Sequence, residues 1–305
     1  MQHPVIIVNP RSAGGLSQNK WAALVPALTD GLGPFDTRFT EGPGDGRRLA
    51  AEETKAGRKL VIAMGGDGTI SEVADGILRA GGSAELGVIP RGTGGDFRRT
   101  LGLERDLAAA AERVRTGRPR TIDAGRVSFV RHDGSREQRH FVNVVSFGFS
   151  SDVAQRANDT SKRLGGRIAF FSATLRSLVS YENTELLLSV DGQPERRMRL
   201  MLAALGNGRY FGGGMRICPD ALLDDGLLDL TLVGDLSRAG VLTNIHRLYA
   251  GTHLTMKKVH GGRARHIRVA PADPTAEIPL EIDGETPGRL PATVELLPGA
   301  LRLRS

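Results

Sequence analysis

Apolar positions in this chain fall into two textures. Over roughly the first 120 residues they come as short unbroken runs separated by helix-like stretches. Val5-Ile6-Ile7-Val8, Leu60-Val61-Ile62-Ala63-Met64 and Leu86-Gly87-Val88-Ile89 read as strands buried on both faces, as in a parallel sheet. Thr37 to Thr40 is a shorter strand, and Gly42-Pro43-Gly44-Asp45 a turn. Between the strands, helical periodicity appears at Trp21, Leu24, Val25 and Leu28, ending near Gly31. It recurs over 46–56, over 69–80 (Ile70, Val73, Ala74, Ile77, Leu78) and over 107–116. Alternating strands and helices predict an N-terminal doubly wound α/β domain.

Beyond Thr121 the spacing changes. Strand-like runs at 122–130, 140–147, 185–191, 197–205, 227–233, 266–270, 278–283 and 293–297, with turn residues between them, predict a mainly antiparallel β-sandwich. Two helical inserts, about 151–180 and 237–258, interrupt it. The division is therefore 1–122 and 123–305, with the last residues able to pack back on the first domain. A chain of 305 residues is long enough for two cores.

Composition narrows the partners. A formal charge of +7 and a pI near 10 call for something anionic. Aromatics are 5% and no nucleic-acid motif is present, so nucleic acid is not expected; an anionic membrane surface or a phosphate-rich ligand accounts for the charge. No apolar run reaches the ~18 to 20 residues that span a bilayer. Met1-Gln2-His3-Pro4 lacks a signal peptide's regions, and the single Cys218 fits a reducing compartment. The expected location is cytoplasmic, peripheral to the inner face of a membrane.

The candidate chemistry sits where strands give way to glycine. After Met64 come Gly65-Gly66-Asp67-Gly68-Thr69 and then a helix, a strand–turn–helix arrangement whose free amides and dipole favour a phosphate. Thr69 and Glu72 have capping-box spacing. Asp67 is out of place beside a phosphate unless a divalent cation intervenes, which points to phosphoryl chemistry; by local sequence alone it also suits a turn in which Asp67 caps amides. Neither the P-loop nor the dinucleotide pattern is matched. Similar loops follow two other strands, at Asn9 to Gly15 and at Pro90 to Phe97. Loops at the carboxyl ends of parallel strands are where such sheets bind ligands.

In register, these stretches resemble the diacylglycerol kinase catalytic family, which includes bacterial lipid kinases and sphingosine kinases. The matching pieces are Asn9-Pro10 with Ser12 and Gly14, Gly65 to Thr69, and Pro90 to Phe97. They continue with Gly206-Asn207-Gly208, Gly212-Gly213-Gly214, Asp224 to Asp229 and Asp283-Gly284-Glu285. The resemblance implies an ATP- and Mg²⁺-dependent kinase that phosphorylates a lipid hydroxyl, diacylglycerol-like, at a membrane surface. It places Asn9, Pro10, Arg11, Ser12, Ala13, Thr40, Gly65, Gly66, Asp67, Gly68, Thr69, Ile70, Ser71, Thr93 and Asp96 around the nucleotide. It gives a structural magnesium to Asp225 with the carbonyls of Leu222 and Leu227. Glu285 becomes the proton acceptor, Asp283 a second candidate beside it, and Asp67 the group that orients the catalytic cation. The pattern also has departures: the family's third loop carries Asn before its acid, and Gly95 stands there, while after Asp96-Phe97 comes Arg98-Arg99 in place of the usual Ala-Arg.

Alternatives stay open at this level. A sphingoid-base or NAD kinase shares the glycine motif, and a non-catalytic lipid- or nucleotide-binding relative would keep the loops without the activity. Asp283-Gly284-Glu285 and Asp224-Asp225-Gly226 are by themselves solvated turns; on a strand, however, positions 283 and 285 would share a face. His246, His253 and His260 recur every seven residues, too far apart on a helix for one metal ion, and are expected to be surface or packing residues. Cys218 is expected to be packed rather than nucleophilic. Arg163, Arg167 and Arg176, set among Leu164, Ile168, Phe170, Phe171 and Leu175, suit a helix resting on a bilayer or one packed on its own domain.

Overall fold

The computed structural model describes residues 2–12, 15–92, 94–148 and 183–305. Ala13, Thr93 and the basic insert at 151–180 lie outside them. Two compact units emerge: Met1–Asp123 together with Gly299–Ser305, and Ala124–Pro298.

The first unit is a parallel sheet flanked by helices. Its strands are β1 (Val5–Val8), β2 (Asp36–Phe39), β3 (Leu60–Gly65) and β4 (Glu85–Pro90), in the order β2-β1-β3-β4. The chain's last residues complete it, Arg302–Arg304 pairing in parallel with Glu85–Gly87. Every residue of β1 and all but the first of β3 are buried, as continuous apolar runs require; β2, at the edge, is half-exposed and polar. The helices are α1 (Gln18–Leu32), α2 (Asp45–Lys55), α3 (Asp67–Arg79), α4 (Asp96–Thr100) and α5 (Leu107–Thr116). Leu28 of α1 and Ala111 and Val114 of α5 pack on Ile6, Val8, Ile62, Met64 and Ile89 of the sheet. Arg302 and Arg304 also pair with Glu85, fixing the terminal strand by charge as well as by backbone.

One local expectation fails in an instructive way. Helix α3 begins at Asp67 rather than at 69, so Thr69 is already inside it, and Gly66 is the N-cap without a side-chain bond. The Glu72 carboxylate is drawn off to the amides of Gly44 (2.6 Å) and Gly46 (2.9 Å), where it holds the start of α2. Tertiary packing of α2 on α3 has outcompeted the capping box.

The second unit is antiparallel. Its strands are β5 (Arg120–Arg131, which starts in the first unit), β6 (Arg136–Phe141), β7 (Val144–Gly148), β8 (Thr184–Val190), β9 (Arg196–Leu200) and β10 (Leu202–Gly206). They continue with β11 (Leu228–Val233), β12 (Val259–Ala264), β13 (His266–Pro271), β14 (Pro279–Ile282) and the long β15 (Glu285–Arg304). One run pairs in the order β12-β11-β10-β7-β14-β15; β15 also pairs β13, which leads to β8 and β9, and pairs β5, which leads to β6. Phe147, Leu205 and Leu230 from the first run share one apolar cluster with Leu186 on β8, Ile267 on β13 and Val294 on β15, so the sheets close over a common core as a β-sandwich.

The runs 140–147 and 197–205 each divide into two strands, at Val142-Asn143 and at Met201. β12 takes up residues next to the 237–258 insert, whose helix is α6 (Arg238–Ala250). The three histidines therefore sit on different elements. His246 is exposed on α6 and His260 exposed on β12, while His253 is buried with Nε2 3.0 Å from the Ile217 carbonyl oxygen, its pKa lowered by burial.

Candidate active site

In the first unit the carboxyl ends of β1, β3 and β4 bring the glycine loops together. The Asn9 amide donates to Met64 O (3.2 Å), and Asn9 Nδ2 donates to Thr69 Oγ1 (3.2 Å), joining the first loop to the first turn of α3. Asn9 Oδ1 accepts the Arg11 amide, Ser12 Oγ donates to Asn9 O, and Pro10 O accepts the Leu16 amide, so Asn9 organises its own loop. Thr40 is buried after β2, tied to Val8 O through its amide (2.9 Å). Between the second and third loops the backbones touch: a Cβ on Gly92 would lie 2.5 Å from the Gly66 Cα, so only glycine permits that approach. The Arg91 amide closes the pair by donating to Gly65 O (2.6 Å).

Asp67 is the clasp of this arrangement. One carboxylate oxygen accepts the Gly95 amide (2.7 Å), the other the Phe97 amide (3.0 Å), so the first residue of α3 positions the turn into α4. A carboxylate has about four acceptor sites, and the amides use two. Asp96, mostly buried, pairs with Arg99 (3.0 Å) instead of facing solvent.

Beside these loops lies a pocket of about 180 Å³. Gly65, Gly66, Asp67 and Ile70 line it, as do Arg91, Gly92, Gly95, Arg98 and Arg105. Gly68 and Ser71 follow in the first turns of α3. The arginines were not foreseen. Their signal was the seven-residue spacing of Arg91, Arg98 and Arg105. Arg98 Nη1 donates to the Leu103 carbonyl, whereas Arg98 Nε and Arg91 Nη1 are buried with no acceptor among the described residues. Burial, with the Arg99 and Arg105 charges, pushes the Arg98 pKa down.

In the second unit two sets of acids were singled out. Asp283 and Gly284 form the two-residue turn between β14 and β15, both with positive φ (48° and 90°), so positions 283 and 285 do not share a strand face as expected. Asp-Gly is the favoured pair for this mirror-image hairpin turn. The Asp283 carboxylate is buried and accepts the amides of Val142 (3.1 Å), Asn143 (3.1 Å) and Val144 (2.9 Å) at the break between β6 and β7. Its oxygens are occupied with architecture. Glu285, by contrast, has a side chain 42% exposed, in an ion pair with Arg139 at 3.2 Å.

The other acids surround the turn before β11. Asp225 Oδ1 accepts the Leu227 amide (3.1 Å), while Asp225 Oδ2 and Asp229 Oδ2 are buried without a hydrogen-bond donor among the described residues. Arg263 stands near both, at 3.7 and 3.8 Å. Burial, helped by the Asp225 and Asp220 charges, raises the Asp229 pKa. Leu222 is exposed and Leu227 half-buried. Cys218 is buried, its thiol pushed up to about 12 by burial, which makes it a packing residue.

A parallel nucleotide-type unit and an antiparallel sandwich, with this set of glycine loops, have known counterparts. The diacylglycerol kinase catalytic domain matches residues 3–127, and the YegS C-terminal NAD kinase beta sandwich-like domain matches residues 143–305. The chain belongs to the diacylglycerol kinase catalytic family. It is 35% identical over 260 residues to the diacylglycerol kinase of Mycobacterium tuberculosis, covering 85% of this chain and 81% of that protein. With the diacylglycerol kinase of Bacillus subtilis it shares 29% identity over 293 residues, 95% and 92% of the two chains. The fold matches the crystal structure of a diacylglycerol kinase from Bacillus anthracis str. Sterne with a TM-score of 0.71 at 23% identity, covering 99% of this chain and 96% of that one.

Proposed function

We propose that this protein is an ATP-dependent lipid kinase that transfers the γ-phosphate to the hydroxyl of a diacylglycerol-like lipid. The observation that carries the reading is the Asp67 clasp, which sets glycine-loop amides beside a pocket bearing unpaired arginine donors in a chain of this family. Phosphoryl transfer depends on positioning the phosphates and neutralising charge that spreads over their oxygens. Backbone amides of Gly66 to Thr69, at the start of α3, would cradle the tail, with Asn9 and Thr69 holding the loops in register. Ala13 and Thr93, outside the described residues, are assigned to the nucleotide by family resemblance alone.

Magnesium bound with the nucleotide would supply neutralising charge, and the remaining acceptor sites of Asp67 fit it through water. A second, structural magnesium fits Asp225 and Asp229, since two buried carboxylate oxygens without donors match the preference of a hard cation for oxygen. Among the described residues no three His, Cys, Asp or Glu side chains group as a metal site, so such an ion would also draw on carbonyls, as at Leu222 and Leu227, or on water. Glu285 is the better proton acceptor of the acidic pair, because the Asp283 oxygens already serve three amides. The charge of +7 supports peripheral action at an anionic bilayer, on its cytoplasmic face; no helix among the described residues is long and apolar enough to cross a membrane.

The test is a substrate screen with radiolabelled ATP and Mg²⁺. Diacylglycerol, monoacylglycerol, phosphatidylglycerol, ceramide and sphingosine are offered in mixed micelles, and NAD in solution. Label on diacylglycerol is expected. Label on NAD alone, or on nothing, defeats the reading.

A further inference from the structure

We propose that Arg98 is a nucleotide-binding residue of the glycine-loop pocket, donating to the polyphosphate tail from the place that the family pattern gives to asparagine. The inference rests on the kinase reading and names a residue that the pattern does not contain.

Space is the first argument. Gly95 has φ +69°, a backbone that asparagine also tolerates, so conformation alone does not demand glycine. A Cβ there would stand 3.0 Å from Arg98 Nε and 3.8 Å from Arg98 Cβ and Cδ. Any side chain at 95 therefore competes with the Arg98 guanidinium, and glycine admits it. The two departures from the pattern, Gly95 and Arg98, are one structural exchange.

Chemistry is the second. One end of the Arg98 guanidinium is anchored on the Leu103 carbonyl, while Nε, buried, has no acceptor among the described residues. Arg91 Nη1, at the end of β4, is in the same condition, and both residues line the same pocket with Arg105. Against three arginines the lining holds one carboxylate, Asp67, which already accepts two amides. Buried donors on charged groups left unmade are costly, and an anion relieves them. Guanidinium forks match phosphate oxygens in particular. The pocket, at about 180 Å³, is below the ~300–1,000 Å³ that encloses a whole small ligand. Its size suits a phosphate tail rather than an entire nucleotide.

Calorimetry of ATP, ADP, AMP and inorganic tripolyphosphate, on wild type and variants, tests this without any lipid. Arg98→Ala is expected to weaken ATP and tripolyphosphate roughly 10- to 100-fold, the range of a charge-assisted bond, and to leave AMP within about twofold. Arg98→Lys should fall between, keeping charge but not the fork. In turnover, the KM for ATP should rise more than kcat falls. Gly95→Asn combined with Arg98→Ala should recover part of the ATP affinity, and a double variant no tighter than Arg98→Ala overturns the exchange. Equal losses for ATP and AMP, or none, overturn the role of Arg98. Should Arg98→Ala fail to fold, Arg98→Gln keeps a donor for Leu103 and carries the same comparison. Polyphosphate binding through Arg98 with no lipid phosphorylated would sink the kinase reading and leave this inference standing. Lipid turnover with an unchanged KM for ATP in Arg98→Ala does the reverse.

Discussion

The glycine-loop region of the first unit and the acidic turn of the second hold opposite kinds of unfinished business. In the first, the orphaned buried atoms are donors, Arg91 Nη1 and Arg98 Nε; around the acidic turn of the second they are acceptors, Asp225 Oδ2 and Asp229 Oδ2. Native proteins leave few buried polar groups unmatched, and each such group indicates what the site is built to receive. Under the proposed function the first set would meet an anion and the second a cation. The same carboxylate chemistry is spent differently elsewhere: Asp67 accepts two backbone amides and Asp283 three, and both act as structural clasps.

The sharpest way to break the comparison is Asp67→Ala. It frees the amides of Gly95 and Phe97 and removes the acid from the phosphate site, so kcat should drop by at least about 100-fold in the lipid-kinase assay, with the circular-dichroism spectrum retained. A variant with near-normal turnover would show that the clasp is dispensable. Glu285→Gln comes next. Its side chain is substantially exposed and its ion pair with Arg139 contributes little to stability, so turnover should fall by about 100-fold while the thermal midpoint hardly moves. Parallel losses of both would make Glu285 merely structural.

Smaller effects probe the cation side. Magnesium should raise the thermal midpoint of the wild type, EDTA should reverse it, and Asp225→Ala should abolish the increment. Asp229 adds a pH dependence whose sign is definite. Its folded pKa is raised above the ordinary 3.8, so the folded state favours the neutral acid. That contribution to stability is complete below the unfolded pKa and is lost as pH rises through the folded one. In EDTA at neutral pH, Asp229→Asn should therefore melt higher than wild type, and in magnesium the advantage should vanish. The smallest change is Thr69→Val, which removes the acceptor of Asn9 Nδ2: a loss of about 1 kcal/mol in stability and a several-fold rise in KM for ATP, read by melting and steady-state kinetics.

Much of this was legible because local and global demands agreed. The buried run at β3 and the glycines after it admit few alternatives, and the first-unit strands and helices, apart from the short unforeseen α4, fall within a few residues of their periodicity. Where the reading slipped, a distant partner had intervened. Glu72 suited a capping box until α2 offered it two amides. Asp283 suited a strand face, although Asp-Gly is also a hairpin signal and the turn won. The break at Val142-Asn143 carries no local mark; it exists because the Asp283 carboxylate, 140 positions away, takes the amides there.

By itself the sequence determined the class of each unit and the chemistry on offer: glycine loops after apolar strands, acids at particular turns, and a basic surplus. Those follow from side-chain period and backbone freedom, which are properties of neighbours in the chain. Only the tertiary structure decided which acids are occupied and which are not, and that Gly95 and Arg98 belong to one feature. Burial and hydrogen-bond satisfaction depend on residues that come together through folding, and a linear string does not contain that geometry.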